Sequence, residues 1–181
     1  DVHSSEFMSE ISKLMLAAGV SVHTIYDEKE SGSQTWYVGH ILTERFSYSP
    51  ECQFIERQHF DDSSWSELID DQLSRKLPLL YIASAVNGVG HCFIIDGKSK
   101  NSLYHINWGW DGLSNGYFAL DNLNPEDHDF VNSHSIIYNI SPDRSGRTYS
   151  RSFICNANVY ASEDILWHDW NFSSPDILPG N

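Results

Sequence analysis

Residues 79–108 read LLYIASAVNGVGHCFIIDGKSKNSLYHINW, and this stretch decides the fold. The apolar run at 79–86 ends in Asn87-Gly88, a strong signal for a tight turn between antiparallel strands. A second strand is expected over 90–96, and Asp96-Gly97 opens another turn into a third over 102–108. Downstream, 116–120 and 135–140 read as fourth and fifth strands, and Phe54 and Ile55 sit in a further one. Upstream, the apolar spacing changes to the helical period. A helix over 4–19 carries Phe7, Ile11, Leu14, Met15 and Ala18 on one stripe, with Gly19 where a C-terminal cap belongs. Val20, Ser21 and Val22 then start a short extended piece. A second helix over 37–46 should bury Val38, Ile41 and Leu42. A third over 63–77 sets Trp65, Leu68, Ile69 and Leu73 on one face, with Ser63 or Ser64 as cap and Glu67 completing a capping box. The expected class is α+β: an antiparallel meander packed by helices.

The connecting segments are polar. Residues 28–35 form a loop, 122–132 a long acidic one, and 142–146 a boundary. Beyond it Phe153, Cys155, Ala157 and Val159 alternate as a lone strand, and the Trp-rich end has no period. The 143–181 extension therefore has no assigned role.

The chain has 181 residues and a net charge of −14, from 11 basic and 25 acidic side chains. That length suits one domain with a short extension. With 40% hydrophobic and 13% aromatic residues it is a folding sequence, not a disordered acidic one. No Lys/Arg cluster exists to bind nucleic acid, and an anionic membrane would repel the chain. No apolar run approaches the ~20 residues of a membrane span. A start at Asp1 without Met is expected of a chain cut from a longer one, so the lack of a signal peptide there says little. The three cysteines make no CxxC pair and the nine histidines no HExxH. No metal or cofactor is expected.

Chemistry concentrates on the 90–108 hairpin. If Asp96 pairs with Ser102, Ile95 faces Leu103, Phe93 faces His105 and His91 faces Asn107, all on one side of the sheet. An Asn amide that orients an imidazole is what cysteine-nucleophile catalysis uses: the other ring nitrogen takes the thiol proton and later protonates the leaving amine. Trp108 would shield the pair from water.

Four blocks strengthen this reading. They are Gly90-His91-Cys92-Phe93-Ile94-Ile95-Asp96-Gly97, then Tyr104-His105-Ile106-Asn107-Trp108-Gly109-Trp110-Asp111-Gly112, then Ser114-Asn115-Gly116-Tyr117-Phe118, then Leu123-Asn124-Pro125. Over roughly residues 4–142 the chain resembles the streptopain (C10) family of papain-like cysteine peptidases, which implies a papain-like fold with a barrel-like sheet half. The resemblance implies that His91 is the catalytic imidazole and Asn107 its orienting partner. It implies that Trp108 and Trp110 line the cleft and that Gly90 offers backbone to a bound peptide. By a weaker alignment, Ser31, Gly32 and Ser33 border the substrate groove. The implied activity is that of a secreted, periplasmic or cell-surface bacterial endopeptidase. Its substrate would be an extended polypeptide, with a hydrophobic residue favoured two positions before the scissile bond.

The family's nucleophile lies upstream of its His, and none of the cysteines here fits. Cys92 adjoins His91 on a strand and so points away, Cys52 has no helix N-terminus behind it, and Cys155 lies beyond the resemblance. Residues 1–142 are therefore expected to be the C-terminal portion of a peptidase domain. An N-terminal chain of the same precursor would supply the Cys, and this chain alone would be inactive. The 122–133 loop also departs, carrying Glu126, Asp127, His128 and Asp129 where a member of the family is Gly-rich; a solvated acidic loop is favoured over a calcium site. Two other classes compete. One is a non-catalytic peptide-binding module on the same fold. The other is a carbohydrate-binding β domain presenting Trp108, Trp110, Tyr117, Trp167 and Trp170.

Overall fold

The computed structural model describes residues 4–28 and 31–145. The chain divides into two compact units, one holding residues up to Gln34 and the other Thr35–Gly146. The strand expected around 153–159 and the terminal tryptophans lie outside the described residues.

In the first unit, α1 spans Ser5–Ser21, and the Ser4 hydroxyl caps it by accepting from the Phe7 amide at 3.1 Å. The helix runs through Gly19 and takes in Val20 and Ser21, which were expected to be extended. Gly19 is not a cap: a Cβ there would collide with the Tyr26 hydroxyl, so close approach explains the glycine. The apolar stripe forms but is not covered. Leu14 and Met15 are 60% and 68% exposed, and of the whole helix only Val20 and Ser21 are buried.

In the second unit, α2 (Val38–Arg45) and α3 (Asp62–Ser74) accompany a six-stranded open antiparallel sheet. α2 buries Ile41 as expected, and Gly39 with it, while Val38 and Leu42 stay half-buried. The cap of α3 is Asp61, whose carboxylate accepts from the Ser64 amide at 2.8 Å; Ser63 instead bonds to Glu67. An ionised oxygen makes the stronger cap, and it also sits favourably at the positive end of the helix dipole. Trp65 and Ile69 are fully buried, and Leu68 and Leu73 pack partly into the same core.

The strands are β1 (Gln53–Glu56), β2 (Leu79–Ala85), β3 (Gly90–Lys98), β4 (Tyr104–Asn107), β5 (Gly116–Phe118) and β6 (Phe130–Tyr138). Their spatial order is β1-β6-β2-β3-β4-β5. The expected meander therefore holds only from β2 to β5, and β6 returns across the sheet to pair with both β1 and β2. β2 alternates cleanly, with Leu79, Tyr81, Ala83 and Ala85 buried and Leu80, Ile82 and Ser84 half-buried. That alternation turns one face of the sheet toward Trp65 and Ile69 of α3, with Phe93, Ile95, Ile106 and Trp108 in the same core.

The β3–β4 register differs from the expected one in a way that matters for the site. Lys98 pairs with Tyr104 and Gly97 with His105, but Ile95 pairs with Ile106 and Ile94 with Asn107. Asp96 is the extra residue of a bulge, and one extra residue exchanges the faces beyond it. His91 lies an odd number of places from Ile94, so it and Asn107 occupy opposite faces of the sheet.

Candidate active site

His91 stands on β3, opposite Ala83 of β2, at the edge of the buried face. Its Nε2 lies 2.8 Å from the backbone carbonyl of Trp108. A carbonyl can only accept, so Nε2 carries the proton and Nδ1 keeps its lone pair. Among the described residues, four rings surround the imidazole. Trp110 is nearest, with centroids 4.9 Å apart; Phe130 is at 5.6 Å, Phe93 at 6.0 Å and Trp108 at 6.3 Å. Burial among them pushes the His91 pKa below the ordinary imidazole value. The Trp108 carbonyl opposes that shift, and the nearby His128 adds to it.

The carbonyl is held in place by local chemistry. Gly109 has φ +77°, which lets the chain turn directly after Trp108. Asn107 accepts from the Gly109 amide through Oδ1 at 3.0 Å, closing that turn. Asn115 accepts from the Trp108 amide at 2.9 Å. The Trp108 ring is fully buried and packs on Phe93 at 4.5 Å, Phe118 at 5.3 Å and Phe130 at 5.6 Å.

Of the expected residues, the structure brings together His91, Trp108 and Trp110. Asn107 is exposed on the other face and spends its amide oxygen on its own turn. Gly90 is exposed at the start of β3, paired with Ser84. Ser31, Gly32 and Ser33 belong to the first unit, where Gly32 closes a loop by exchanging backbone hydrogen bonds with Ile25 at 2.8 and 3.1 Å. Sequence reasoning missed Phe93, Phe130 and Asn115. Phe93 shares a strand face with His91 and could have been found by alternation; Phe130 arrives from a distant strand and has no local signal.

Both described cysteines are poor nucleophiles. Burial pushes the Cys52 thiol up to about 11 and the Cys92 thiol up to about 12. Cys92 also lies on the sheet face opposite His91, as expected from its position. Cys155 lies outside the described residues. The surface required for stacking sugars is not formed at Trp108, which has no exposed area, while Trp110 is half-buried. Trp167 and Trp170 lie outside the described residues.

The chain is similar to proteins of known family. Residues 1–118 match the family model described as Peptidase C10 family. The chain is 39% identical over 115 residues to streptopain of Streptococcus pyogenes, covering 64% of this chain and 29% of that protein. It is 34% identical over 122 residues to the thiol protease/hemagglutinin PrtT of Porphyromonas gingivalis, covering 67% of this chain and 14% of that one. The active wild-type interpain A cysteine protease of Prevotella intermedia superimposes with a TM-score of 0.69 at 26% identity, covering 78% of this chain and 60% of that chain. The chain thus spans less than a third of the length of the curated relatives it matches. Among the described residues, no helix is long and apolar enough to cross a membrane.

Proposed function

This chain belongs to the peptidase C10 family, and on that premise we propose that it supplies the general base of a cysteine endopeptidase, His91. The observation that carries the reading is the imidazole itself. It is caged by aromatic rings, anchored through Nε2, and has Nδ1 left to accept a proton. A thiol brought to Nδ1 would give up its proton to the ring, forming the thiolate that attacks a peptide carbonyl. The resulting imidazolium then protonates the departing amine. Burial disfavours the charged ring, and a thiolate opposite would offset that by favouring the ion pair.

In this reading the Trp108 carbonyl does the orienting work assigned by resemblance to Asn107. Asn107 acts one step further out, by shaping the turn that aims the carbonyl. Trp108 and Trp110 exclude water from the ring. Gly90, exposed beside His91, is proposed to offer backbone to an extended peptide, and Ser31, Gly32 and Ser33 are proposed as substrate-binding residues, as the resemblance implies.

The nucleophile is proposed to lie on a polypeptide segment of the same precursor N-terminal to these residues, which makes this chain inactive by itself. Two observations support that. The described thiols are held protonated, and α1 shows an apolar stripe of Phe7, Met8, Ile11, Leu14 and Met15 to solvent. A helix gains its stability from packing such a face, so it calls for cover. We further propose an exported bacterial enzyme, as the curated relatives come from bacteria.

The test is labelling with a thiol-directed peptidyl inhibitor. We expect the whole precursor product to be labelled on a cysteine outside residues 1–181, and this chain alone to remain unlabelled. An absence of labelling in the whole product would sink the enzyme reading in favour of a peptide-binding module.

A further inference from the structure

The aromatic cage holds a second imidazole that the reaction above does not use. His128 packs against Trp110 with centroids 5.5 Å apart and against Phe130 at 5.6 Å. Those are the two rings closest to His91. We propose that His128 is a positioning residue for His91, clamping the Trp110–Phe130 pair against it and coupling its own charge to that of the catalytic ring. The inference rests on His91 being the base.

The loop that carries His128 is built to hold it. The His128 amide donates to the Pro125 carbonyl at 3.0 Å, and the Phe130 amide to the Leu123 carbonyl at 2.9 Å. Leu123 is fully buried, so the loop is pinned at its base. Glu126 accepts a hydrogen bond from the Ser114 hydroxyl, which ties this loop to the turn that follows Trp110. Phe130 opens β6 and pairs with Ala85 of β2. The ring is therefore presented by two anchored segments.

Among the described residues, several titratable groups lie on the elements that adjoin His128. His91 approaches from β3. Glu126, Asp127 and Asp129 belong to its own loop, and Asp111 to the turn that carries Trp110. β6 carries His134, which is engaged with the Tyr81 hydroxyl at 2.9 Å. A positive charge on His128 makes charge on His91 harder to hold, and the half-buried rings limit screening of that repulsion. The consequence for the reaction is directional. A charged His128 opposes the imidazolium that His91 must become, and a neutral one permits it.

The experiment is an NMR pH titration of the His91 ring in the folded chain, wild type against His128→Gln. In the variant the His91 midpoint should rise by about half a pH unit, a change in proton affinity of roughly threefold. His128→Phe keeps an aromatic ring against Trp110 and Phe130 but removes the charge, and it should raise the midpoint in the same way; a merely structural role would instead be rescued by the phenylalanine. A His91 midpoint unmoved in His128→Phe overturns the proposal, and that variant decides if His128→Gln does not fold. The signal is read on the ring and not on turnover, so failed inhibitor labelling with coupling intact would count against His91 as base and not against the coupling.

Discussion

The two faces of the β3–β4 ladder carry similar residues to different ends. On one, His91, Phe93, Ile95, Ile106 and Trp108 are buried or half-buried, against a core shared with α3. On the other, Cys92, Ile94, His105 and Asn107 are partly or fully open. Each face bears a histidine with an anchored ring. The His91 ring is held by a neutral carbonyl in an aromatic cage, and the His105 ring by the Asp96 carboxylate at 2.5 Å beside the exposed Tyr117. The first ring is packed among aromatic side chains with Nδ1 available to a reacting group, whereas the second spends Nδ1 on a carboxylate at a partly exposed site. The enclosed ring, not the partly exposed one, is the proposed base, and a single bulged residue decides which side chains share its face.

The largest test of this contrast is His91→Ala in the complete enzyme. Removing the proposed general base should lower kcat/KM on a peptide substrate by about 10³-fold. His105→Ala should leave turnover within a few-fold. Equal losses would mean that the two faces are not functionally distinct.

Next in size is Trp108→Ala. The ring is fully buried and touches Phe93, Phe118 and Phe130, so truncation should cost about 3–5 kcal/mol in urea unfolding. Ile94→Ala, on the open face, should cost clearly less, because Ile94 keeps part of its surface in water.

Acid should act through the buried face. Burial lowers the pKa of His91 and of His134, so the unfolded chain binds their protons more readily than the folded one. Stability is then full above the ordinary imidazole value near 6.5 and falls as pH drops through that value toward the lower folded ones. Thermal unfolding should show a Tm that declines from pH 7 toward pH 5, and His91→Gln should flatten part of the slope. A Tm that rises over that interval would contradict the assigned burial.

How much of this was legible in the sequence depends on whether the cause is local. The 79–96 hairpin follows from Asn87-Gly88 and alternation, and the amide oxygen of Asn87 does close the turn, accepting from the Val89 amide at 3.1 Å. The helix over 62–74 follows from Trp65 and Ile69. His91 as the proposed base was legible from its motif. The place of β6 between β1 and β2 was not legible, because pairing of distant strands leaves no local period. Nor was the Trp108 carbonyl, since every residue has one and only the fold selects which is used. The apolar stripe of α1 was legible as a stripe, but a pattern of spacing does not say what covers it.

The smallest predicted effect is the most pointed, because Asn107 is the residue on which the resemblance and the geometry part. If its amide held the imidazole, Asn107→Ala would free the ring, shift the His91 titration and cut kcat/KM by orders of magnitude. If it closes the turn at Gly109, the variant loses one side chain to backbone hydrogen bond, worth about 1 kcal/mol. The bond from Nε2 to the Trp108 carbonyl would survive, since the Trp108 amide is still held by Asn115. We therefore expect Asn107→Ala to lower stability slightly, leave the His91 titration in place and reduce turnover less than tenfold. Asn115→Ala removes the second tether of the same residue, so the double variant should lose more turnover than either single one. Additivity between the two would show that they restrain the carbonyl independently; a larger joint loss would show that either tether alone suffices.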